Sequence, residues 1–456
     1  MSFAFSFDNL SPAVVKLINT KCSVKAKASQ YVDKPVVHYC FTTDKTLRIA
    51  HVPLGLWSDL YESFPNLCAE HLPARFKFTT GLFTAETDPA GRGRDQIDVA
   101  KSAIALLRSQ HHVFLALHTG FGKTTIGVYL SAILRYKTVV ICHLQTVCEQ
   151  WLETFQRFST AKIQWVKGTD IDPDSDIYII GAQKMMNMLT ANPAAFEAVG
   201  TIIVDEAHIA TTKIFTSVLT RVQPRYLIGL SATPERDDNL HKLLHAYFGP
   251  PDKYVSRFEI KRFMVKRMAT GIEPEVDLQF VKGRFVPNWN TMMNSIAYHE
   301  KRNLAIARLA AKRSAEHRII IMCGRVQQAR EIAGMLENME QDCDTLIGKK
   351  SKYRAGCRIL VAGVKKAGVG FDDSGLTMMI VTCSLKNVKQ VEGRIRTTNN
   401  IIYDLVDNHP TFEKHWQIRR KWYESRGATI VGDKKMKTVD GQRTKYVRSD
   451  KRSEIT

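Results

Sequence analysis

The sequence predicts an α/β protein: two tandem units, each a mostly parallel sheet with helices on both faces, behind a small N-terminal domain. Three observations predict it. The 456 residues exceed what one ordinary hydrophobic core organises and suit two or three domains. Short apolar runs of strand length recur, closed by turn signals and separated by helical or loop segments. That texture breaks between about 250 and 295 and then resumes.

Residues 1–90 mix short β-rich runs with Pro and Gly, and they read as an accessory domain. VVHYCF at 36–41 reads as a strand, and LRIAHVPLGLW at 47–57 as a strand then a turn. TAETDPAGRGRD at 84–95 reads as a linker or exposed loop. The first α/β unit spans 91–255. DVAKSAIALLRS at 98–109 has helical spacing, VFLAL at 113–117 is a buried strand, and TTIGVYLSAILR follows as a helix. TVVIC at 138–142, IYII at 177–180, TIIVD at 201–205 and YLIGLS at 226–231 repeat the strand pattern. Residues 256–294 read as an interdomain linker. The second unit, 295–430, holds a helix to about 314, a helix near 326–339, and strands RIIIMC, RILVAG, TMMIVT and NIIYDLV. Near its end KHWQIRRKWYESRG at 414–427 has two readings: a helix docked through its aromatics with its charges solvated, or a helix offering Trp422 to a base. Residues 431–456 read as a basic mobile tail.

Lys plus Arg outnumber Asp plus Glu by 65 to 45, a formal charge of +20, which favours an anionic partner such as nucleic acid. The nine cysteines form no CxxC, which argues against a zinc site or a disulfide scaffold and for free thiols in a reducing compartment. MSFAFSFDNL shows no signal-peptide pattern, and no apolar run reaches membrane-spanning length.

The sharpest motif is LHTGFGKT at 117–124, after a strand and before a helix. Such a loop, here His118, Thr119, Gly120, Phe121 and Gly122, wraps backbone N–H groups around phosphates, and the helix N-terminus adds its positive end. Lys123 would reach the β- and γ-phosphates of ATP, and Thr124 would offer a hydroxyl to Mg²⁺. Leu117 stands where the strict pattern has Gly. IIVDEAH at 202–208 closes a strand: Asp205 would hold Mg²⁺, Glu206 would polarise the attacking water, and His208 could couple the site to the facing domain. SATP at 231–234 supplies the hydroxyls of Ser231 and Thr233, which could bond Asp205 or His208. In QVEGRIRT at 390–397, Arg394 is the candidate to stabilise charge on the transferring phosphoryl group across a cleft, with Arg396 second. AGVKKAGVGFDD at 362–373 offers Gly370 for a close backbone path, Lys365 and Lys366 for phosphates or solvent, and Asp372 for the ribose or the interdomain network. QTVCEQW at 145–151 and GAQKM at 181–185 are polar loops that could hold a nucleic-acid backbone.

Together and in this order the five motifs resemble those of superfamily 2 helicases. Within that group the chain looks like the compact DEAH-containing helicases of large cytoplasmic DNA viruses, related to the poxvirus transcript-release helicase and the phage T4 recombination helicase. The resemblance covers roughly 92–425. It implies two RecA-like P-loop domains with ATP and Mg²⁺ between them. It also implies Gln96 as the residue that reads adenine, Lys123 with Thr124 and Asp205 with Glu206 as the two nucleotide-binding pairs, and Ser231 and Thr233 as the coupling motif. Gln390 and Arg394 match the last motif, whose final arginine falls on Thr397, so Arg396 or Arg394 alone would serve. The resemblance further implies 3′-to-5′ movement on DNA or on RNA–DNA structures, work beside viral transcription or replication machinery, a monomer, and residence in the host cytoplasm, a viral factory or the virion, with the nucleus left open. Two other classes compete: a nucleic-acid-binding scaffold that keeps the fold without hydrolysis, and a P-loop kinase or GTPase, which would not need the second unit.

Overall fold

The structure, a computed structural model, describes residues 2–25, 37–46, 48–60, 71–89, 93–209, 213–234, 240–257, 262–281, 283–350, 352–368, 373, 375–386, 388, 392 and 400–432. Its N-terminal region holds strands β1 (Ser2–Ser6), β2 (Ser23–Lys25), β3 (Val37–Tyr39), β4 (Thr42–Asp44) and β5 (Ile49–Pro53). A helix, Pro12–Lys21, begins at Ser11, whose hydroxyl accepts the Val14 amide, with Pro12 in the first turn. This region shares its core with the first α/β unit: Ile18, Cys22, Val52, Leu54 and Leu56 pack in one cluster with Phe114, Tyr247 and Phe248. The approach is close enough that a Cβ on Gly55 would collide with the Ala246 carbonyl oxygen.

The first unit is a seven-stranded sheet of β6 (His112–Leu117), β7 (Thr138–Cys142), β8 (Ile163–Trp165), β9 (Ile177–Gly181), β10 (Thr201–Val204), β11 (Tyr226–Ser231) and β12 (Val255–Arg257), in the order β12-β6-β11-β10-β7-β9-β8. Every pairing is parallel. The strands read as unbroken apolar runs because both faces are covered. In β6, Val113, Leu115 and Leu117 face helices Gln96–Gln110, Lys123–Leu134 and Gln145–Phe158, while Phe114 and Ala116 face the opposite cluster with Leu243 and Tyr247.

The second unit repeats the plan, as expected. After β13 (Phe263–Ala269) and a hairpin of β14 (Leu278–Val281) and β15 (Arg284–Pro287), it adds β16 (Ile319–Cys323), β17 (Cys343–Leu346), β18 (Ile359–Gly363), β19 (Met378–Val381), β20 (Asn400–Val406) and β21 (Ala428–Val431). The sheet order is β17-β18-β16-β19-β20-β13-β21, again all parallel. Helices Glu300–Arg313 and Val326–Asn338 cover one face, and Pro410–Ser425 covers the other. The described cysteines are free and, apart from Cys343, buried. Among the described residues no helix is long and apolar enough to cross a membrane.

Two readings of the sequence change here. Part of 256–294 is not linker: β13 pairs along its full length with β20 and also holds β21. Its alternation is masked by Arg267, which stands at an inward position, buried and paired with Glu413. The C-terminal helix docks through Trp416 and Tyr423, but its charges are not all solvated. Arg419 is 1% exposed, and its guanidinium donates to both oxygens of Asp404 in β20, at 2.8 and 2.7 Å; the Tyr423 hydroxyl donates to the same carboxylate. Arg302 and Asp407 make a second buried pair at 2.8 Å. Removing one partner of such a pair strands the other charge in a dry site.

Arg419→Ala is therefore expected to cost about 3–5 kcal/mol. Arg420→Ala, which removes a partly exposed i,i+4 pair with Glu424, should cost clearly less. Urea unfolding followed by far-UV circular dichroism measures both, and equal midpoints for the two variants would contradict the assignment.

Candidate nucleotide site

The candidate residues gather on one edge of the first sheet because its strands are parallel. β11 lies between β6 and β10, with Ser231 level with Ala116 and Gly229 level with Val204. The loops leaving β6, β10 and β11 thus emerge side by side, about 5 Å apart per strand.

The loop after β6 is shaped by glycine and tied down from outside. Gly120 and Gly122 have φ of 81° and 98°, left-handed values that favour glycine. The His118 amide donates to the Arg257 carbonyl of β12, and the Phe121 amide to the His118 carbonyl. Arg94, held by Asp88, donates to the Gly120 carbonyl at 2.7 Å. The Gln96 amide nitrogen donates to the Phe121 carbonyl at 2.9 Å, while its oxygen accepts the Phe83 N–H. A Cβ on Gly122 would collide with that Gln96 nitrogen. Gly122 starts the helix and supplies no side-chain cap, so the first-turn amides are not satisfied by their own N-cap. Lys123, the first helical residue, donates its ammonium to the Leu117 carbonyl at 3.2 Å, arching over the loop. Thr124 follows, partly exposed.

Beyond β10 lies the acidic pair. Asp205 is buried and accepts the Trp151 indole N–H on Oδ2 at 2.8 Å and the Glu206 amide on Oδ1 at 2.8 Å. Glu206 adopts φ of 48°, a left-handed value rare for a residue with a Cβ. Its carboxylate lies 3.3 Å from His208 Nδ1, and the same nitrogen lies 2.9 Å from the Ser231 hydroxyl. Ser231 Oγ accepts the Thr233 amide at 3.0 Å. Glu206, His208, Ser231 and Thr233 therefore form one connected chain from β10 to β11.

Burial, then the neighbouring Glu206 charge, pushes the Asp205 carboxyl above its ordinary range. Burial also works against ionised Glu206, but the His208 bond and charge, with the charges of Lys123 and His143, outweigh it and hold the group low. An under-compensated buried carboxylate on Asp205, in a site that also holds Thr124 and a glycine cradle, fits a divalent cation that brings phosphate oxygens with it. Among the described residues no cluster of three or more His, Cys, Asp or Glu side chains forms a cage, so such a cation would take most of its ligands from substrate and water.

The structure thus brings together Gln96, residues 118–124, Asp205, Glu206, His208, Ser231 and Thr233. Gly370, Asp372, Gln390, Arg394 and Arg396 lie outside the described residues. Of the segments read as polar loops, 145–151 belongs to helix Gln145–Phe158, and 181–185 is the end of β9 followed by the start of helix Ala182–Ala191. Sequence reasoning missed Arg94, Asp88 and Phe83 behind the loop and the bond from Trp151 to Asp205. It also missed the β14–β15 hairpin at the carboxyl edge of the second sheet, where Phe280 and Phe285 form a cross-strand pair, ring centres 5.1 Å apart, with 65% and 62% of their surface exposed.

Residues 93–236 match the family described as Type III restriction enzyme, res subunit. Two relatives, each named "Putative helicase", align over most of the chain. Protein 161L of Invertebrate iridescent virus 6 is 28% identical and covers 94% of this chain and 99% of its own. Protein 055L of Frog virus 3 (isolate Goorha) is 29% identical and covers 74% and 78%. Among solved structures, S. cerevisiae Dbp5 bound to RNA and ADP BeF3 superposes with a TM-score of 0.51 at 11% identity, covering 73% of this chain and 89% of that one, a likeness of fold alone.

A methyl group on Gly122 meets both a left-handed φ and the Gln96 amide. Gly122→Ala is expected to weaken binding of a fluorescent ADP by about 5- to 30-fold, the equivalent of a backbone term of about 1–2 kcal/mol. Unchanged affinity in an anisotropy titration would show that nucleotide does not engage this loop.

Proposed function

The chain carries a superfamily 2-type helicase domain similar to those of viral helicases, and on that premise we propose that it is an ATP-driven motor that moves along single-stranded nucleic acid. The observation that carries this reading is the convergence of residues 118–124, Asp205, Glu206, His208 and Ser231 on one sheet edge, in a chain that builds a second sheet of the same kind. ATP is the substrate. Its phosphates would lie along the amides of 118–124, with Lys123 turned from the Leu117 carbonyl toward the β- and γ-oxygens. Bound Mg²⁺, held through Asp205 and Thr124, would neutralise phosphate charge. Glu206, held low by His208 and Lys123, would orient the attacking water. His208 and Ser231 give a relay through which the state of Glu206 reaches β11 and the residues after it.

Arg394, with Arg396 and Gln390, would complete the site from the second unit, as would Gly370 and Asp372; these roles rest on the resemblance of their motifs. Closure on ATP and reopening after phosphate release would alternate the grip of the two units on the strand. The basic balance of the chain suits a backbone grip with little sequence preference. The exposed Phe280–Phe285 pair, with Arg284 beside it, offers a face on which a base can stack. We place the activity on DNA, with RNA as the second substrate, in 3′-to-5′ direction and in viral transcription, recombination or repair within the cytoplasm.

Three outcomes follow. Lys123→Ala should abolish turnover in a purified ATPase assay, and Glu206→Gln should slow hydrolysis while ATP still binds; wild-type rates in both would refute the assignment. Affinity for a labelled single strand should fall steeply from about 50 to about 300 mM salt and vary little among scrambled sequences. Phe280→Ala with Phe285→Ala should weaken that affinity by about thirtyfold, the low end of two stacking contacts of about 1–3 kcal/mol each, and leave the melting temperature unchanged because both rings face solvent. Full affinity in the double variant would remove the hairpin from the strand path.

A further inference from the structure

Trp151 is fully buried beside the acidic pair, and none of the motif roles assigned above accounts for it. It lies in the second turn of helix Gln145–Phe158. Its indole N–H donates to Asp205 Oδ2, while Oδ1 takes the Glu206 amide, so each carboxylate oxygen has one fixed donor and the plane of the group is set. The far edge of the ring rests on Gly127, one turn past Lys123 in the next helix, where a Cβ would come within 2.6 Å of Trp151 Cη2. One side chain therefore touches both halves of the nucleotide site: the carboxylate at the end of β10 and the helix that begins with Lys123. Its own helix starts with exposed Gln145 and Thr146 at the carboxyl edge of the sheet.

We propose that Trp151 is a positioning residue, holding Asp205 in its Mg²⁺-binding orientation and locking that orientation to the Lys123 helix. The inference rests on reading Asp205 as the Mg²⁺ carboxylate. An indole N–H suits this role because it donates only, does not titrate, and occupies one lone pair of the oxygen while leaving the other for a cation or its water. Partners of this kind fix the direction of a metal-binding oxygen, and their loss weakens metal affinity by about 10- to 100-fold in known sites. Gly127 is the other half of the device, because any larger residue would push the ring from its seat.

Two replacements in the full-length chain separate bonding from packing. Trp151→Phe removes the N–H and part of the ring. Replacing Trp151 by 3-benzothienylalanine keeps the bicyclic shape and puts sulfur where the N–H was. Fluorescent-ADP affinity is measured in EDTA and across a Mg²⁺ titration, alongside melting temperature and ATPase rate. Both variants are expected to need about tenfold or more Mg²⁺ for half-maximal tightening of nucleotide binding, with affinity in EDTA unchanged. The benzothienyl variant should keep the wild-type melting temperature. Gly127→Ala should shift the Mg²⁺ dependence in the same direction. An unshifted Mg²⁺ dependence in the benzothienyl variant overturns the proposal, whatever Trp151→Phe does to folding. A wild-type chain that binds Mg²⁺-ADP but hydrolyses no ATP would instead overturn the proposed function, and the Mg²⁺ shift would still decide the role of Trp151.

Discussion

Parallel strand direction is the constraint on which the site depends. In a parallel sheet every strand delivers its following loop to the same edge, so residues far apart in sequence meet without any long-range recognition between their loops. Here β11 is inserted between β6 and β10. That single choice of order puts the Ser231 hydroxyl within reach of His208, which already meets Glu206 two residues before it, while leaving Lys123 near enough to act on both acids. The buried Asp205 and the half-buried Glu206 are repulsive neighbours. They are held by the charge of Lys123 and by three bonding partners, His208, the Trp151 N–H and the Glu206 amide, drawn from the segments that follow β6 and β10 and from helix Gln145–Phe158.

The second unit solves a similar electrostatic problem for a structural end. Asp404 and Asp407 lie at the end of β20, and each faces an arginine from a different helix. Arg302 comes from the helix on one face and Arg419 from the helix on the other, so the two pairs fix both layers to the same strand. Asp407 Oδ1 also accepts the Thr270 hydroxyl at the end of β13, which ties the strand that enters this unit to its core. The cost of burying these charges is offset only while every partner is present.

Much of the fold was legible because doubly covered strands must be apolar at nearly every position: VFLAL, TVVIC and TIIVD announce themselves. β13 did not, since Arg267 stands at an inward position and its partner, Glu413, is remote in sequence. The residues of the first-unit site were legible because loop chemistry is local: two glycines, a lysine and a hydroxyl in a row, or an acidic pair at a strand end. Trp151 was half legible. Its spacing with Val147, Cys148 and Phe155 marks the buried face of a helix, but nothing local to QTVCEQW tells that the indole N–H ends on a carboxylate from β10. The same holds for Arg94, which sits in a stretch read as an exposed loop and turns inward only because Asp88 and the Gly120 carbonyl await it. Arg419 looked like a solvated charge for the same reason, since Asp404 reaches it through the fold and not through the helix.

A site made of one sheet edge belongs to a motor only if hydrolysis there answers to the strand that the whole molecule grips. The most direct measurement is the rate of phosphate release from Mg²⁺-ATP by the purified wild-type chain as single-stranded DNA or RNA is titrated in at low salt. Slow hydrolysis is predicted without nucleic acid, with a saturable rise of about tenfold or more in its presence, a lowering of the barrier by about 1.4 kcal/mol. A rate that is zero throughout, or that is the same with and without the strand, would contradict the motor reading.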